Sequence, residues 1–314
     1  MKRTSAVVFA YHDVGVRCLQ VLLDAGVYIG LVVTHADAAG ENIWFGSVAA
    51  LAAERGLPCV TPADPHDGAL LARARAFAPD FVFSFYYRQM LRRAWLDLPC
   101  QGAFNMHGSL LPQFRGRAPV NWAILRGARE TGATLHRMNE KPDNGPVVDQ
   151  MAVPILSHDT AREVFAKVTL AAEIVLARSL PALGDGTARP WPQDLSQGGY
   201  FGGRTPEDGR IPLGATARQA HDLVRALAPP YPCAFLDVQG ERVLVERTLL
   251  HGTPPPDLQG TGPGLRSDGT GLWLCMADGG ALRVLVARRA SDGTPFTAHD
   301  LECLLAEDGR HTRA

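Results

Sequence analysis

Lysine is almost absent from this sequence: of its 31 basic residues only Lys2, Lys141 and Lys167 are lysine. That scarcity reads as a composition bias of the source rather than a functional choice. Net charge is missing too, because 31 basic residues face 32 acidic ones, a formal −1. A nucleic-acid binder held by a general basic field is thereby disfavoured, leaving only a local patch within a neutral total. The 6 cysteines lie far apart, with no CxxC pair and no Cys/His cluster at zinc spacing. No metal centre is expected, and the thiols read as free in a reducing compartment. The basic start leads into an apolar run of only about five residues before His12, too short for the core of a signal peptide. No stretch approaches the roughly 20 apolar residues of a membrane span, so a cytoplasmic protein without membrane insertion is expected. No GxGxxG follows a strand and opens a helix, and no GxxxxGKS/T loop occurs. Dinucleotide and nucleoside-triphosphate sites are therefore not signalled.

What the chain does hold is apolar residues, 46% of 314, ample for the cores of two domains at a prior of roughly 150 residues each. Residues 6–10 form a short apolar run that feeds helical periodicity through Cys18, Leu19, Leu22 and Leu23. Strands are expected again at 28–34, 57–60 and 81–85, separated by helices at 47–55 and 68–78, with Ser47 an N-cap. Units alternating at this length imply an α/β fold, a Rossmann-like and mostly parallel sheet with helices on both faces. Beyond it, helices are expected at 118–126 and 160–183 and strands at 131–138 and 147–153. The stretch 190–209 is rich in Pro, Gly, Gln and Asp and reads as a linker, with domains at 1–204 and 205–314. The second changes character: one short helix at 215–226, then short runs broken by Gly and Pro turns, which suggests a small OB-like β-barrel. With 11 Arg, no Lys and 14 Asp plus Glu from residue 205 onward, that domain is acidic and a poor platform for a nucleic-acid backbone.

Chemistry concentrates between residues 103 and 143. The strand at 103–107 puts Asn105 and His107 two residues apart, on one face, because side chains alternate with period two. The carboxyl end of such a strand is where open α/β sheets place ligands. Next comes the loop Gly108-Ser109-Leu110-Leu111-Pro112, then Arg115-Gly116-Arg117, whose guanidinium forks suit carboxylates or phosphates. Asp143 closes the stretch. An amide, an imidazole and a carboxylate can together hold an oxyanion, move a proton and orient the base. The bland readings stand beside these. On these, His107 satisfies only a local hydrogen bond, the arginines sit in a solvated loop, and Pro142-Asp143-Asn144-Gly145 is a strong turn sequence on its own.

Asn-x-His, the SLLPxxRG loop and an Asp 36 residues past the His resemble the formyltransferase family that uses 10-formyltetrahydrofolate as donor. Within it, Ala10-Tyr11-His12-Asp13, Phe83-Ser84-Phe85-Tyr86-Tyr87-Arg88, the segments 104–112 and 115–122, and Thr134-Leu135-His136-Arg137-Met138 are most similar to one enzyme's half. That half belongs to the bifunctional enzyme making UDP-4-amino-4-deoxy-L-arabinose derivatives for lipid A. Segments 201–206 and 221–235 extend the resemblance through nearly the whole chain. It implies that Asn105 helps hold the oxyanion, that His107 is the general acid/base, and that Asp143 orients His107 and favours its charged form. It further implies folate contacts from Gln89, Met90 and Leu91, from Arg117, and from Asn139, Glu140, Lys141, Pro142 and Asp143. Gln89 and Met90 depart from the His-Leu of close relatives, which backbone contacts would tolerate.

The resemblance implies 10-formyltetrahydrofolate as co-substrate, no metal, and a nucleotide-linked amino sugar as acceptor. The decarboxylase half of the bifunctional relative is expected on a separate polypeptide, a UDP-glucuronate decarboxylase of the same pathway. Methionyl-tRNA formylation is the leading rival. That branch carries a basic insert after the second strand, whereas residues 34–46 here hold no Lys or Arg. A noncatalytic sensor on the same scaffold is the rival from another class, and it has no need of Asn105, His107 and Asp143 together.

Overall fold

The computed structural model describes residues 4–38 and 40–311. In chain order the elements begin β1 (Ser5–Ala10), α1 (His12–Asp24), β2 (Tyr28–Val33), α2 (Val48–Glu54), β3 (Cys59–Val60), α3 (Gly68–Phe77), β4 (Phe81–Phe85) and α4 (Arg93–Leu96). There follow β5 (Gly102–His107), β6 (Arg115–Gly116), α5 (Pro119–Leu125), β7 (Glu130–Arg137), β8 (Val147–Pro154), α6 (Ala161–Gly184) and β9 (Tyr200–Phe201). Then come α7 (Ala217–Leu227), β10 (Ala234–Val238), β11 (Glu241–Gly252), β12 (Gly264–Ser267), β13 (Leu272–Cys275), β14 (Ala281–Arg289) and α8 (Ala298–His311). No described helix is long and apolar enough to cross a membrane.

The chain divides into two compact units. One holds the chain up to Pro119 with Glu130–Pro154 and Phe165–Gly202. The other holds Val120–Arg129, Ile155–Val164 and the chain from Gly203.

The first unit contains a seven-stranded sheet of order β3-β2-β1-β4-β5-β7-β8. The first five strands pair in parallel. Strand β7 runs antiparallel to β5, and β8 returns antiparallel to β7 because the connection between those two carries no helix, which leaves a hairpin as the short return. Alternation sorts the side chains. Val7, Phe9, Leu31, Val82 and Ala103 pack with Leu70 and Ala74 of α3 and Trp95 of α4. On the opposite face Phe81, Phe83 and Phe85 stack along β4, with Phe104 of β5 tilted against Phe83. Ser47 caps α2 as expected, accepting from the Ala50 N–H at 3.2 Å.

The second unit is built on a five-stranded antiparallel sheet of order β10-β11-β14-β13-β12, curled in the manner of a small barrel. Leu223, Val224 and Leu227 of α7 fill its inside against Leu236, Val243, Val245, Leu265, Leu274 and Leu282. Sequence reading missed β12 and α8. The first is a four-residue strand opening on glycine, with too little pattern to register. The second carried a legible cap: Asp300 accepts from the Thr297 N–H at 2.7 Å, a Thr-x-x-Asp signature at a helix start.

Candidate active site

In a sheet of this order the crevice lies between β1 and β4, where the strand sequence reverses direction, at the carboxyl ends. The residues there are aromatic. His12 stacks on Phe45 with ring centroids 3.9 Å apart, and Trp44, Tyr86 and Phe165 surround it. His12 and Tyr86 both hold left-handed backbone, φ 65° and 58°, a strained conformation for large residues and one that clusters at ligand sites. Burial pushes His12 down to about 4. Tyr86 leads across to β5, since its hydroxyl would stand 1.8 Å from any Cβ placed on Gly108, the residue after His107.

Strand β5 delivers Asn105 and His107 on one face, as the period-two spacing requires. Antiparallel β7 sets His136 directly opposite Asn105. Asp143 then reaches both histidines from the β7–β8 connection. Its Oδ1 lies 3.5 Å from His107 Nδ1 and 3.7 Å from His136 Nε2, and its Oδ2 accepts the Gly116 N–H at 2.9 Å. The other ring nitrogen of His107, Nε2, donates to the Phe114 carbonyl at 2.9 Å. That carbonyl is held by a rigid loop. Ser109 Oγ donates to the Gln113 carbonyl at 2.5 Å, and Thr134 Oγ1 to the Ser109 carbonyl at 2.6 Å. Gln193 Nε2 donates to the carbonyls of Asp143 and Gly145 at 3.2 and 2.7 Å, fixing the turn from outside. Asp143 itself has φ 53°, a conformation that Asp and Asn tolerate better than most.

The set Asn105, His107 and Asp143 is thus brought together, and His136 joins it unannounced. Its signal lay in the pairing of β5 with β7, which local pattern does not reveal; once that pairing and its register are given, Thr134 and His136 fall opposite His107 and Asn105. The residues expected to touch folate are dispersed around it. Gln89 Nε2 donates to the Ala63 carbonyl at 3.2 Å, Met90 is exposed with its carbonyl 3.0 Å from His66 Nε2, and Leu91 is buried in the core beside Trp95. Arg117 is exposed and held by its backbone N–H to the Phe201 carbonyl at 2.9 Å, while Arg115 Nη2 is spent on the carbonyls of Leu195 and Gly198. Asn139 Oδ1 accepts the Lys141 N–H at 2.9 Å, Glu140 and Lys141 are exposed, and Pro142 is half-buried. None of Gln89, Met90, Leu91, Arg117, Asn139, Glu140, Lys141 and Pro142 hydrogen-bonds to the Asn105, His107 or Asp143 side chains among the described residues.

Burial pushes His136 down to about 4 and His107 adds to the effect, although the Asp143 charge pulls the other way. Between the ordinary histidine value of 6.5 and about 4, the folded protein therefore binds fewer protons than the unfolded chain. Stability present above that window is lost as pH falls through it, and His12 acts with the same sign. Urea midpoints measured at pH 7 and pH 4.5 should show the lower value at pH 4.5, and His136→Gln should shrink the difference. A second expectation concerns Gly116, with φ 98° and a virtual Cβ only 2.2 Å from the Phe201 carbonyl oxygen. Gly116→Ala should cost about 2 kcal/mol or more and displace the N–H that holds Asp143, which a thermal melt and an activity assay read separately.

Comparisons with known proteins agree with this architecture. The family signature for formyl transferases matches residues 18–180, and that for the formyl transferase C-terminal domain matches 204–301. Among solved structures, the N-formyltransferase of Helicobacter canadensis, in complex with folinic acid and dTDP-3-aminofucose, superposes with a TM-score of 0.71 at 18% identity, covering 90% of this chain and 99% of that one. WlaRD, a sugar 3N-formyl transferase solved with dTDP and 5-N-formyl-THF, gives 0.69 at 17%, covering 93% and 100%. A sugar N-formyltransferase of a Shewanella species gives 0.63 at 21%, covering 78% and 97%. At these identities the structural likeness speaks to the fold.

Proposed function

The chain belongs to the formyl transferase family, and from that premise we propose that it transfers a formyl group from 10-formyltetrahydrofolate to the amine of a nucleotide-linked sugar. The observation that carries the reading is the meeting of Asn105, His107 and Asp143 at the end of β5. The acceptor we favour is UDP-4-amino-4-deoxy-L-arabinose in lipid A modification, on the resemblance of the 10–13, 83–88 and 104–122 segments. A separate UDP-glucuronate decarboxylase and a cytoplasmic setting belong to the same reading. Structural neighbours solved with dTDP or a dTDP-linked amino sugar support a nucleotide sugar as the class of acceptor.

A folate fits the residues present. Leu91 is buried, and among the described residues neither its backbone N–H nor its C=O has a hydrogen-bond partner. Buried backbone groups are nearly always paired, so this orphaned edge suits the donor-acceptor edge of a pterin. Asn144 Oδ1 and Gln193 Oε1, flanking Asp143, are likewise buried acceptors without a partner. Gln89, Met90 and Leu91, Arg117 and the 139–143 segment would hold the folate, which when bound supplies the formyl carbonyl.

Each side chain then has a task. As the acceptor amine adds to that carbonyl, an Asn105 N–H meets the developing oxyanion. His107 takes the amine proton and returns one to the departing nitrogen. Asp143 keeps the imidazole aimed and offsets its positive charge while the proton is in transit. The crevice excludes bulk water on its aromatic side through Tyr11, buried at 4% exposure, with His12 and Phe45.

One assay tests the proposal: transfer from 10-formyltetrahydrofolate to a panel of nucleotide amino sugars and to methionyl-tRNA. Product with a UDP- or dTDP-linked amino sugar is the expected result. Product with tRNA alone, accompanied by retention on heparin at low salt, would replace it by the rival function, and binding of both ligands without product would favour a sensor.

A further inference from the structure

His136 sits inside the cluster that the proposed reaction uses, yet that reaction gives it no task. The residue is 2% exposed, and its two ring nitrogens face different partners. Nδ1 stands 3.1 Å from the Arg137 carbonyl, and Nε2 stands 3.1 Å from Asn105 Nδ2. A carbonyl only accepts, so Nδ1 carries the proton. Burial keeps the ring neutral, so Nε2 presents a lone pair. A lone pair accepts only from the nitrogen end of an amide.

We propose that His136 is a positioning residue that fixes the Asn105 amide with its nitrogen in the site, one N–H given to His136 and the other left for the oxyanion. The inference rests on formyl transfer at Asn105 and His107 being the reaction. Turned end for end, the amide would set its oxygen against the Nε2 lone pair, two acceptors 3.1 Å apart. Moving the ring proton to Nε2 would relieve that contact but would set the Nδ1 lone pair against the Arg137 carbonyl. Asp143 Oδ1, at 3.7 Å from the same Nε2, is beyond hydrogen-bond reach and offers no alternative partner for it. Both ends of the ring thus favour the same amide orientation. An acyl-transfer site needs this, because an amide oxygen beside a developing oxyanion would repel it.

Three substitutions separate positioning from packing. Gln places an acceptor near the Nε2 position, Asn places a donor near Nδ1 only, and Leu supplies neither. With Asn105 present, His136→Leu and His136→Asn should each lower kcat by about 10- to 100-fold with acceptor KM little changed, and His136→Gln should recover most of the loss. On an Asn105→Ala background, His136→Leu should add almost nothing, since the group it orients is gone. Equal losses in both backgrounds, or Gln and Asn behaving alike, would overturn the proposal. Nitrogen-15 NMR of the wild-type imidazoles gives a readout that needs no substrate: Nδ1 protonated and Nε2 bare is expected, and the opposite tautomer or an imidazolium at pH 7 overturns it. Absence of formyl transfer to every acceptor would instead remove the functional reading, while the tautomer still decides the geometry.

Discussion

Alanine in place of His107 is expected to lower kcat for formyl transfer by about 10²- to 10⁴-fold while acceptor KM stays within a few-fold. The reason is that this ring shares strand β5 with Asn105 and sets its Nδ1 3.5 Å from Asp143 Oδ1. His136, the other imidazole, is held neutral by burial and cannot take over proton transfer. Removing the ring also deprives the Phe114 carbonyl of its donor, which at a half-buried position costs about 1 kcal/mol or more. A thermal melt therefore accompanies the kinetics, and single-turnover rates on folded protein isolate the chemical step. Turnover near wild type would sink the assignment of His107. Transfer slowed by that factor with folate and acceptor binding intact is the expected pattern, and it also separates the enzyme from a sensor, whose binding would be its whole activity.

The parts of this site differ in how far sequence could reach them. Asn105 and His107 were legible because a strand's period is two and both residues lie on one strand. The parallel half of the sheet was legible for a similar reason, since each unit repeats an apolar run, a turn and a helix of ordinary length. Asp143 was legible only by resemblance: Pro142-Asp143-Asn144-Gly145 explains itself as a turn, and nothing local says that the turn folds back to a strand 36 residues earlier. His136 required knowing which strand pairs with β5, a long-range fact that no window of sequence contains. Leu91 shows the converse limit. Its side chain is ordinary core, and the feature that suits a ligand is an unpaired backbone edge, which sequence does not display.

Asparagine in place of Asp143 is expected to lower kcat by about 10²- to 10³-fold with little loss of stability, and the contrast between the two readouts is the point of the choice. Asn tolerates the left-handed backbone at φ 53°, and its amide oxygen can still accept the Gly116 N–H that Oδ2 accepts now at 2.9 Å. The turn, the Gln193 clamp on its carbonyl and the position of the loop should all survive. What disappears is one negative charge 3.5 Å from His107 Nδ1 and 3.7 Å from His136 Nε2. A histidine that must carry a proton through the reaction in a buried site then does so without its counter-charge, and that penalty falls on the charged species alone. Asp143→Ala should show the same kinetic loss plus a lower melting temperature, because it also leaves the Gly116 N–H unpaired. If Asp143→Asn turns over like wild type while Asp143→Ala melts early, the carboxylate only closes the turn that its neighbours already favour. Proton transfer would then have to be carried by His107 with the Phe114 carbonyl as its sole fixed partner.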